Sequence, residues 1–228
     1  IRSYGFHGTS HKYVTEQAIA YLKKPDAKLI TIHLGNGCSM AAIKSGRSID
    51  TTMGFGPLSG LVMGTRSGDI DPSIIFHLIN QLGYDPDQVN TLLNKRSGML
   101  GMTGFSDMRD IENAIKNGDH EAELASEVYA YRIQKYIGAY AASLNGLDAI
   151  VFTAGVGEND ISMRKRICEN LDFLGIIPDL EKNNRRSGEL RDISDVTSKV
   201  RILVIPTNEE LEIARQCVEL LETGKQSF

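Results

Sequence analysis

Three short β-prone segments, separated by very short turns, most constrain how this chain can fold. They cover residues 29–34, 39–43 and 47–52. Glycine and asparagine at 35–37, and serine and glycine at 45–46, supply the residues that tight turns require. Parallel neighbours need a crossover of about a dozen residues or more, so these strands must pair antiparallel. The sequence therefore predicts an antiparallel three-stranded meander.

The last third of the chain has a different rhythm. Apolar β-prone runs at 149–153 and 200–205 are followed by helical patterns at 161–171 and 209–221, and the longest helical pattern covers 120–144. Strand–turn–helix units with apolar strands favour parallel pairing, with helices on both faces of the sheet. The order of elements resembles the ribonuclease-H-like module shared by actin, the 70-kDa heat-shock chaperones and the sugar and acetate kinases. We predict an α/β fold with a mixed sheet.

Several shorter segments complete the predicted secondary structure. A helix is expected to begin at Pro72 with Asp71 as its cap. The polar stretch 181–198 is expected to be an exposed excursion. Further helical patterns cover residues 12–21, 88–93 and 108–115.

Length and charge limit the class of protein. With 228 residues, 41% of them hydrophobic, the chain can bury one substantial core, so residues 1–228 are predicted to form a single domain. The formal net charge is −4, from 25 basic and 29 acidic residues. This balance leaves no basic surplus for binding nucleic acid or an anionic membrane, and neither is expected as a partner.

Cysteine usage and hydropathy indicate the compartment. Cys38, Cys168 and Cys217 form neither a disulfide framework nor a zinc pattern, which suits a reducing environment. We find no leader and no apolar run of the roughly 18 residues that a membrane span needs. A cytoplasmic location is expected. The chain opens at Ile1 with motif-like residues and no methionine, which predicts a cut through a larger protein.

Two glycine-containing turns could bind phosphate. Residues 35–37 place two glycines around an asparagine between strands, where backbone N–H groups can converge on an anion. Residues 154–159 follow a buried strand and open a helix, whose first N–H groups attract anions. Each turn could also be an ordinary structural connection, and His33 beside the first could be an ordinary strand residue.

The glycine-rich loop 54–68 carries Arg66 and lacks apolar periodicity. A loop of this length in a compact domain is usually functional or disordered, and the apolar residues at 58 and 61–63 argue against disorder. Arg66 could be a structural residue paired with Asp69 or Asp71, or a bidentate phosphate clamp. Both interpretations are compatible with the sequence.

Three common motif classes are absent or incomplete. Residues 54–60 nearly match the dinucleotide fingerprint but carry one residue too many and a proline, and no P-loop lysine motif occurs. His7 and His11 have the four-residue spacing of helical zinc ligands. Residues 8–10 between them are expected to be a poor helix, and the accompanying glutamate is missing.

Five motifs, in order along the chain, resemble the signatures of the acetate kinase family. They are residues 4–11 (YGFHGTSH), 33–37 (HLGNG), 63–72 (MGTRSGDIDP), 152–159 (FTAGVGEN) and 205–211 (IPTNEEL). The resemblance extends from Ile1 to the last helix and implies that the chain is the carboxy-terminal half of such an enzyme. Residues 54–60 depart from the family pattern at Gly56 and Ser59, which leaves room for a change in substrate or loop mobility.

The resemblance implies a role for individual residues. His7 would bond the phosphoryl group in flight, Arg66 would neutralise its oxygens, Glu209 would help place Mg²⁺, and Phe6 would line the pocket for the substrate's alkyl group. The residues implied to bind the nucleotide are His33, Asn36, Gly37, Asp107, Met108, Arg109, Gly155, Val156, Gly157 and Asn159.

The same resemblance implies the chemistry and the partners. ATP or ADP would be the co-substrate, Mg²⁺ the metal, and acetate the carboxylate, with propionate or butyrate as alternatives. Transfer would be direct and in line, with no phosphoenzyme. A homodimer formed through this domain is implied. Because the remaining charged groups belong to the other half, the isolated chain is expected to be inactive; a non-catalytic dimerisation or nucleotide-binding fragment is the other interpretation.

Overall fold

The computed structural model describes residues 1–224. The strands are β1 (Lys28–Leu34), β2 (Cys38–Lys44), β3 (Arg47–Thr51), β4 (Ala149–Thr153), β5 (Arg191–Asp192) and β6 (Arg201–Val204). The helices are α1 (Gly8–Leu22), α2 (Ser73–Asn80), α3 (Pro86–Lys95), α4 (Gly98–Thr103), α5 (Met108–Lys116), α6 (His120–Leu144), α7 (Ala154–Asn159), α8 (Ile161–Cys168), α9 (Leu180–Asn184) and α10 (Glu209–Thr223), with a 3₁₀ turn at Asp172–Leu174.

The six strands form one mixed sheet in the order β3-β2-β1-β4-β6-β5. Strand β1 pairs antiparallel with β2 and parallel with β4, and β4 pairs parallel with β6. The predicted meander and the predicted parallel strands are both confirmed, and with them the mixed α/β fold. Because β1, β4 and β6 run in the same direction, their carboxyl ends meet at one edge of the sheet, which is where ligands gather in open α/β folds.

Helices cover both faces of the sheet, as predicted. On one face, Ile30 and Phe152 pack against α6 through Ile133 and Ile137. On the other face, Leu29 and Val151 belong to a second cluster with Val14 and Ala18 of α1. Neighbouring residues of one strand therefore enter different clusters, as the pleat requires.

The polar stretch 181–198 is exposed at residues 184–189, as the sequence predicted, but not at residues 191–194. It contains part of α9 and the edge strand β5, which pairs antiparallel with β6. Ile193 is buried in the larger core cluster, which is the one that contains Ile30 and Phe152. The hydroxyl of buried Ser194 accepts a hydrogen bond from Ile202 N at 2.7 Å. Edge pairing, a long-range interaction that composition does not report, brings this part of the polar sequence against β6.

Helix α1 begins earlier than its sequence pattern indicated. Residues 8–10, expected to be a poor helix, form its first turn, because buried Ser10 and His11 anchor that turn to the sheet. Helix α2 begins at Ser73 rather than Pro72, while Asp71 still accepts hydrogen bonds from the Ser73 amide and hydroxyl. Helix α4 has no counterpart among the predicted helices.

The long loop 54–68 is packed, as the apolar residues within it predicted. Leu61 and Met63 are fully buried. The backbone of the loop is tied to Asp69, whose carboxylate accepts a hydrogen bond from Gly60 N at 2.7 Å. In the described residues 1–224, no helix combines the length and the apolar character needed to cross a bilayer.

Candidate active site

The carboxyl ends of β1 and β4 bring two of the predicted motifs together. His33 lies opposite Thr153 in the parallel register, so the turn at 35–37 adjoins the start of α7. A Cβ placed on Gly35 would lie 4.0 Å from the Cβ of Ala154. The two glycine-containing turns, far apart in sequence, therefore form one continuous edge.

The side chains of His7 and His33 stack on each other next to this edge. The ring of His7, the residue before α1, lies parallel to the ring of His33 on β1, with centroids 4.1 Å apart and an interplanar angle of 13°. His7 Nδ1 lies 2.9 Å from Ser39 Oγ, and His33 Nδ1 lies 2.9 Å from Ser10 Oγ. Both rings are therefore held from behind by hydroxyl groups.

Gly37 leaves a space between two of the predicted catalytic residues. A Cβ on Gly37 would lie 3.4 Å from both Arg66 Nη1 and His7 Nε2. The guanidinium thus approaches this point from the long loop, and the imidazole approaches it from the residue before α1. Only a residue without a side chain leaves that point open to a ligand.

Burial keeps these histidines uncharged. Desolvation, and secondarily the Arg66 charge, lowers the pKa of His7. Desolvation, followed by the neighbouring His7, lowers the pKa of His33 to about 3. At neutral pH both rings are neutral, so each can donate through one nitrogen and accept through the other.

Arg66 has no acidic partner within residues 1–224. Its Nη1 donates to the carbonyl of Pro57 at 2.9 Å. Asp69 is engaged by Gly60 and Tyr136, and Asp71 by Ser73. The structural alternative in which Arg66 pairs with one of these aspartates is therefore wrong, and the guanidinium keeps donors for another anion.

The turn after β1 is packed against the long loop and the segment before α5. Gly64 N donates to the carbonyl of Asn36 at 3.2 Å. A Cβ on Gly64 would meet the Asn36 side chain and would lie 3.0 Å from the carbonyl of Ser106. Asn36 itself is exposed.

Helix α7 differs from the expected anion-binding helix start. The N–H of Ala154 is already used, because it donates to Glu158 Oε1 at 2.9 Å, and the same oxygen accepts from Thr207 N at 3.1 Å. Glu158 thereby links the loops that follow β4 and β6. The sequence contained this carboxylate but did not indicate that it would occupy the helix start.

The two glycines of α7 have different environments. A Cβ on Gly155 would meet nothing within 4 Å, and Gly155 is exposed. A Cβ on Gly157 would lie 3.5 Å from Phe152 C and 3.6 Å from Ile32 O. A side chain at Gly157 would therefore project toward the sheet. Gly157 permits close packing of helix on sheet, whereas Gly155 faces the open edge.

Two buried or half-buried arginines hold α7 from its other end. Arg164, 1% exposed, donates through Nη1 to the carbonyls of Gly157 and Glu158 at 3.0 and 2.9 Å. Arg191 donates to the Glu158 carbonyl at 2.7 Å. No sequence motif indicated either contact.

The other predicted nucleotide residues are partly occupied by local contacts. Asp107 caps α5, accepting from Arg109 N at 2.9 Å, and forms an ion pair with the exposed Arg109 guanidinium. This hydrogen bonding lowers the pKa of Asp107 to about 2. Met108 packs against the core, as does Val156. Asn159 is exposed and donates to the carbonyl of Gly155 at 2.9 Å.

Phe6 and Glu209 are the two remaining predicted site residues. Phe6 precedes His7, is half-buried and packs against the larger core cluster. Glu209 is in the first turn of α10, after β6, and is half-buried. Residues 1–224 contain no cluster of three or more side chains suited to binding a metal. A single carboxylate fits Mg²⁺ that is otherwise held by substrate phosphates and water.

The sequence interpretation missed the residues behind His7. Ser39, Thr31 and His11 form a buried hydrogen-bond chain with it. A signal was present, because a hairpin with its turn at 35–37 places Ser39 directly opposite His33. Register, rather than motif, would have found Ser39.

Known proteins are similar to this chain in sequence and in fold. The sequence profile of the acetokinase family matches residues 1–215. An acetate kinase of Flavobacterium johnsoniae is 63% identical over 97% of the chain and 56% of the relative. A solved acetate kinase of Porphyromonas gingivalis superposes with a TM-score of 0.93 at 46% identity, covering 97% of the chain and 56% of that structure.

A solved propionate kinase of Francisella tularensis is also similar, with a TM-score of 0.89, 48% identity, and coverage of 94% of the chain and 55% of that structure. The chain thus spans a little over half the length of the relatives and structures that it matches. Its fold, its ordered motifs and the match over residues 1–215 agree. The chain belongs to the acetokinase family.

Proposed function

We propose that residues 1–228 form the carboxy-terminal domain of an acetate kinase, which transfers a phosphoryl group reversibly between ATP and acetate. Family membership supports the reaction class. The observation that carries the proposal is the space beside Gly37, flanked by the neutral His7 and by Arg66, which has no carboxylate partner in the described range 1–224. The remainder of the active site would come from the other half of the protein.

The flanking residues suit direct in-line transfer. A phosphoryl group in flight carries its charge on three equatorial oxygens and needs positioned donors more than it needs a nucleophile. The planar guanidinium of Arg66 can donate to two oxygens at once, and a neutral His7 can donate through Nε2. No residue of the pair has to form a covalent intermediate.

The nucleotide is proposed to lie along the edge formed by the two turns. His33, Asn36 and Gly37 would contact its phosphates from the end of β1. The residues proposed to border the adenosine are Asp107, Met108, Arg109, Gly155, Val156, Gly157 and Asn159. Exposure of Gly155, Asn159 and Arg109 supports this placement, whereas Gly157 would contribute through backbone position alone.

Mg²⁺ is proposed to be held by Glu209 together with the nucleotide's phosphates. When bound, it would neutralise charge on those phosphates. Glu209 follows β6 at the same edge of the sheet as His33, so it could bind Mg²⁺ there without any rearrangement of the sheet. Phe6, beside His7, is proposed to border the alkyl group of the carboxylate.

A propionate kinase is the second candidate. The similarity to the Francisella tularensis propionate kinase favours it. Gly56 and Ser59 lie in the loop whose Pro57 carbonyl accepts from Arg66. Changes there could alter the pocket without altering the fold.

The substrate is tested by steady-state kinetics of the full-length protein with acetate, propionate and butyrate, using hydroxamate detection of the acyl phosphate. We expect the highest kcat/KM for acetate. A higher value for propionate would establish the second candidate, and no activity with any of the three would reject the proposed function.

We propose a cytoplasmic homodimer formed through this domain. Residues 1–228 on their own are proposed to bind nucleotide without catalysing transfer, because half of the charge-stabilising groups would be missing. Acyl phosphate formation by residues 1–228 alone would contradict this.

A further inference from the structure

A buried chain of hydrogen bonds leads from the middle of β1 to His7. Thr31 Oγ1 lies 2.7 Å from His11 Nδ1, His11 Nε2 lies 2.7 Å from Ser39 Oγ, and Ser39 Oγ lies 2.9 Å from His7 Nδ1. Thr31 and Ser39 are fully buried, and His11 is 6% exposed. The four side chains come from β1, β2, α1 and the residue before α1.

The protons in this chain can be arranged in two directions. Each hydroxyl has one proton, and each neutral imidazole carries one proton on one of its two nitrogens. Burial, followed by the charges of His33 and His7, lowers the pKa of His11 to about 3, so His11 is neutral at physiological pH. A neutral His11 that accepts through one nitrogen must donate through the other.

In one direction, Thr31 donates to His11 Nδ1, His11 Nε2 donates to Ser39, and Ser39 donates to His7 Nδ1. His7 then carries its proton on Nε2, the atom 3.4 Å from the Cβ position of Gly37. In the opposite direction, His7 Nδ1 donates to Ser39, and its Nε2 presents a lone pair to the same space.

The acceptors available to the two hydroxyl groups of this hydrogen-bond chain favour the first direction. Besides His11, the acceptor within reach of the Thr31 hydroxyl proton is the carbonyl of Ala41, at 3.5 Å. For the Ser39 proton, the acceptor other than an imidazole is the carbonyl of Phe6, also at 3.5 Å. Both carbonyls are at the limit of a hydrogen bond, whereas the imidazole nitrogens are at 2.7–2.9 Å. Both hydroxyls therefore place their protons on imidazole nitrogens.

We propose that Thr31, His11 and Ser39 are positioning residues that fix the tautomer of His7, so that His7 Nε2–H is a donor directed at the space beside Gly37 and Arg66. That the recipient is a phosphoryl group rests on the proposed function. The assignment of the His7 tautomer does not rest on the proposed function. A lone pair at Nε2 would instead repel an anion that Arg66 attracts.

The direct test is the ring ¹⁵N spectrum of His7 in the full-length protein, since the shifts of Nδ1 and Nε2 distinguish the two neutral tautomers. We expect the Nε2–H form at neutral pH. The Nδ1–H form, or an imidazolium, would overturn the proposal.

Variants test whether the hydrogen-bond chain sets this state. Thr31→Val removes the first donor with little change in shape. We expect a mixture of His7 tautomers and a kcat about tenfold lower, which corresponds to about 1.4 kcal/mol, with the KM for ATP and for acetate nearly unchanged. Thr31→Ser keeps the hydroxyl and should restore both readouts.

Thr15→Val is the matched control. Thr15 is a buried threonine of α1 whose hydroxyl has no hydrogen-bond partner in the structure, so its removal should leave tautomer and kcat unchanged. If Thr31→Val leaves His7 entirely in the Nε2–H form with normal kcat, the proposal is wrong. If Thr31→Val is too unstable to study, Ser39→Ala should show the same tautomer mixture. An unchanged His7 spectrum in Ser39→Ala would equally reject the proposal.

The two readouts separate this inference from the proposed function. A protein with the Nε2–H tautomer but no acyl kinase activity would reject the function and retain the positioning role. An active acetate kinase with the Nδ1–H tautomer would do the reverse.

Discussion

The carboxylate of Asp69 accepts a hydrogen bond from the hydroxyl of Tyr136, not from Arg66 three residues earlier. This contact ties the long loop to α6, and the second carboxylate oxygen ties Gly60 to the same point. The desolvation of Tyr136 and its bond to Asp69 raise the pKa of Tyr136. Within residues 1–224, Arg66 has no acidic partner, and the carboxylate of Asp69 is already engaged by Tyr136 and Gly60.

Tyr136→Phe should therefore loosen the loop that carries Arg66. Loss of a hydrogen bond to a charged group should lower the free energy of unfolding by about 1–3 kcal/mol. Urea denaturation measures this. Tyr131→Phe on the exposed face of the same helix is the control and should change stability little. Equal effects of the two variants would contradict a special role for the Asp69 contact.

Arg66→Lys should abolish most turnover in the full-length protein. A point charge cannot donate to two oxygens in the manner of a planar guanidinium, and loss of a transition-state donor costs about 10²–10³ in kcat. We expect a small change in the KM for ATP and in the melting temperature. Steady-state kinetics and calorimetry measure these quantities.

Arg47→Lys, at the opposite end of the sheet from His33, is the matched control for this prediction. It should retain normal kinetics. If Arg66→Lys kept near-normal turnover but melted several degrees lower, Arg66 would be a structural residue.

The two glycines of α7 should respond in opposite ways. Gly157→Val would push methyl groups into Phe152 and the β1 backbone, and overpacking of this kind costs about 1–3 kcal/mol in stability. Gly155→Val meets nothing in the structure, so it should preserve stability and weaken ATP binding. Denaturation and titration calorimetry measure the two effects. Unchanged ATP affinity in Gly155→Val would remove α7 from the proposed nucleotide site.

Acid should destabilise the domain well before its carboxylates are protonated. His11 and His33 have pKa values near 3 in the folded state, against 6.5 for an exposed histidine. The unfolded chain therefore binds more protons below about pH 6.5, and stability falls as the pH drops from there toward 3. The slope should approach about 1.4 kcal/mol per pH unit for each such histidine.

Denaturation midpoints measured between pH 7 and 5 test this prediction. The variant His33→Gln should show a shallower decline than the wild type, since it removes one of the titrating groups. A midpoint independent of pH over this range would show that the histidines are not buried as neutral rings.

The sequence by itself determined the local structure and the order of the elements. The short turns at 35–37 and 45–46 forced the antiparallel meander, and the apolar runs at 149–153 and 200–205 forced buried parallel strands. Spacing and residue type suffice for these features because they depend on interactions within a few residues. The family, too, was identified from ordered motifs and confirmed by comparison.

Only the tertiary structure decided which side chains meet. It placed Gly37 between His7 and Arg66, assigned Asp69 to Tyr136, and turned Gly157 toward the sheet. It also placed residues 191–194 of the polar stretch against β6 and aligned Thr31 with His7 through two intervening side chains. Such contacts join residues tens of positions apart, so their geometry depends on strand register and helix packing, which no local pattern encodes.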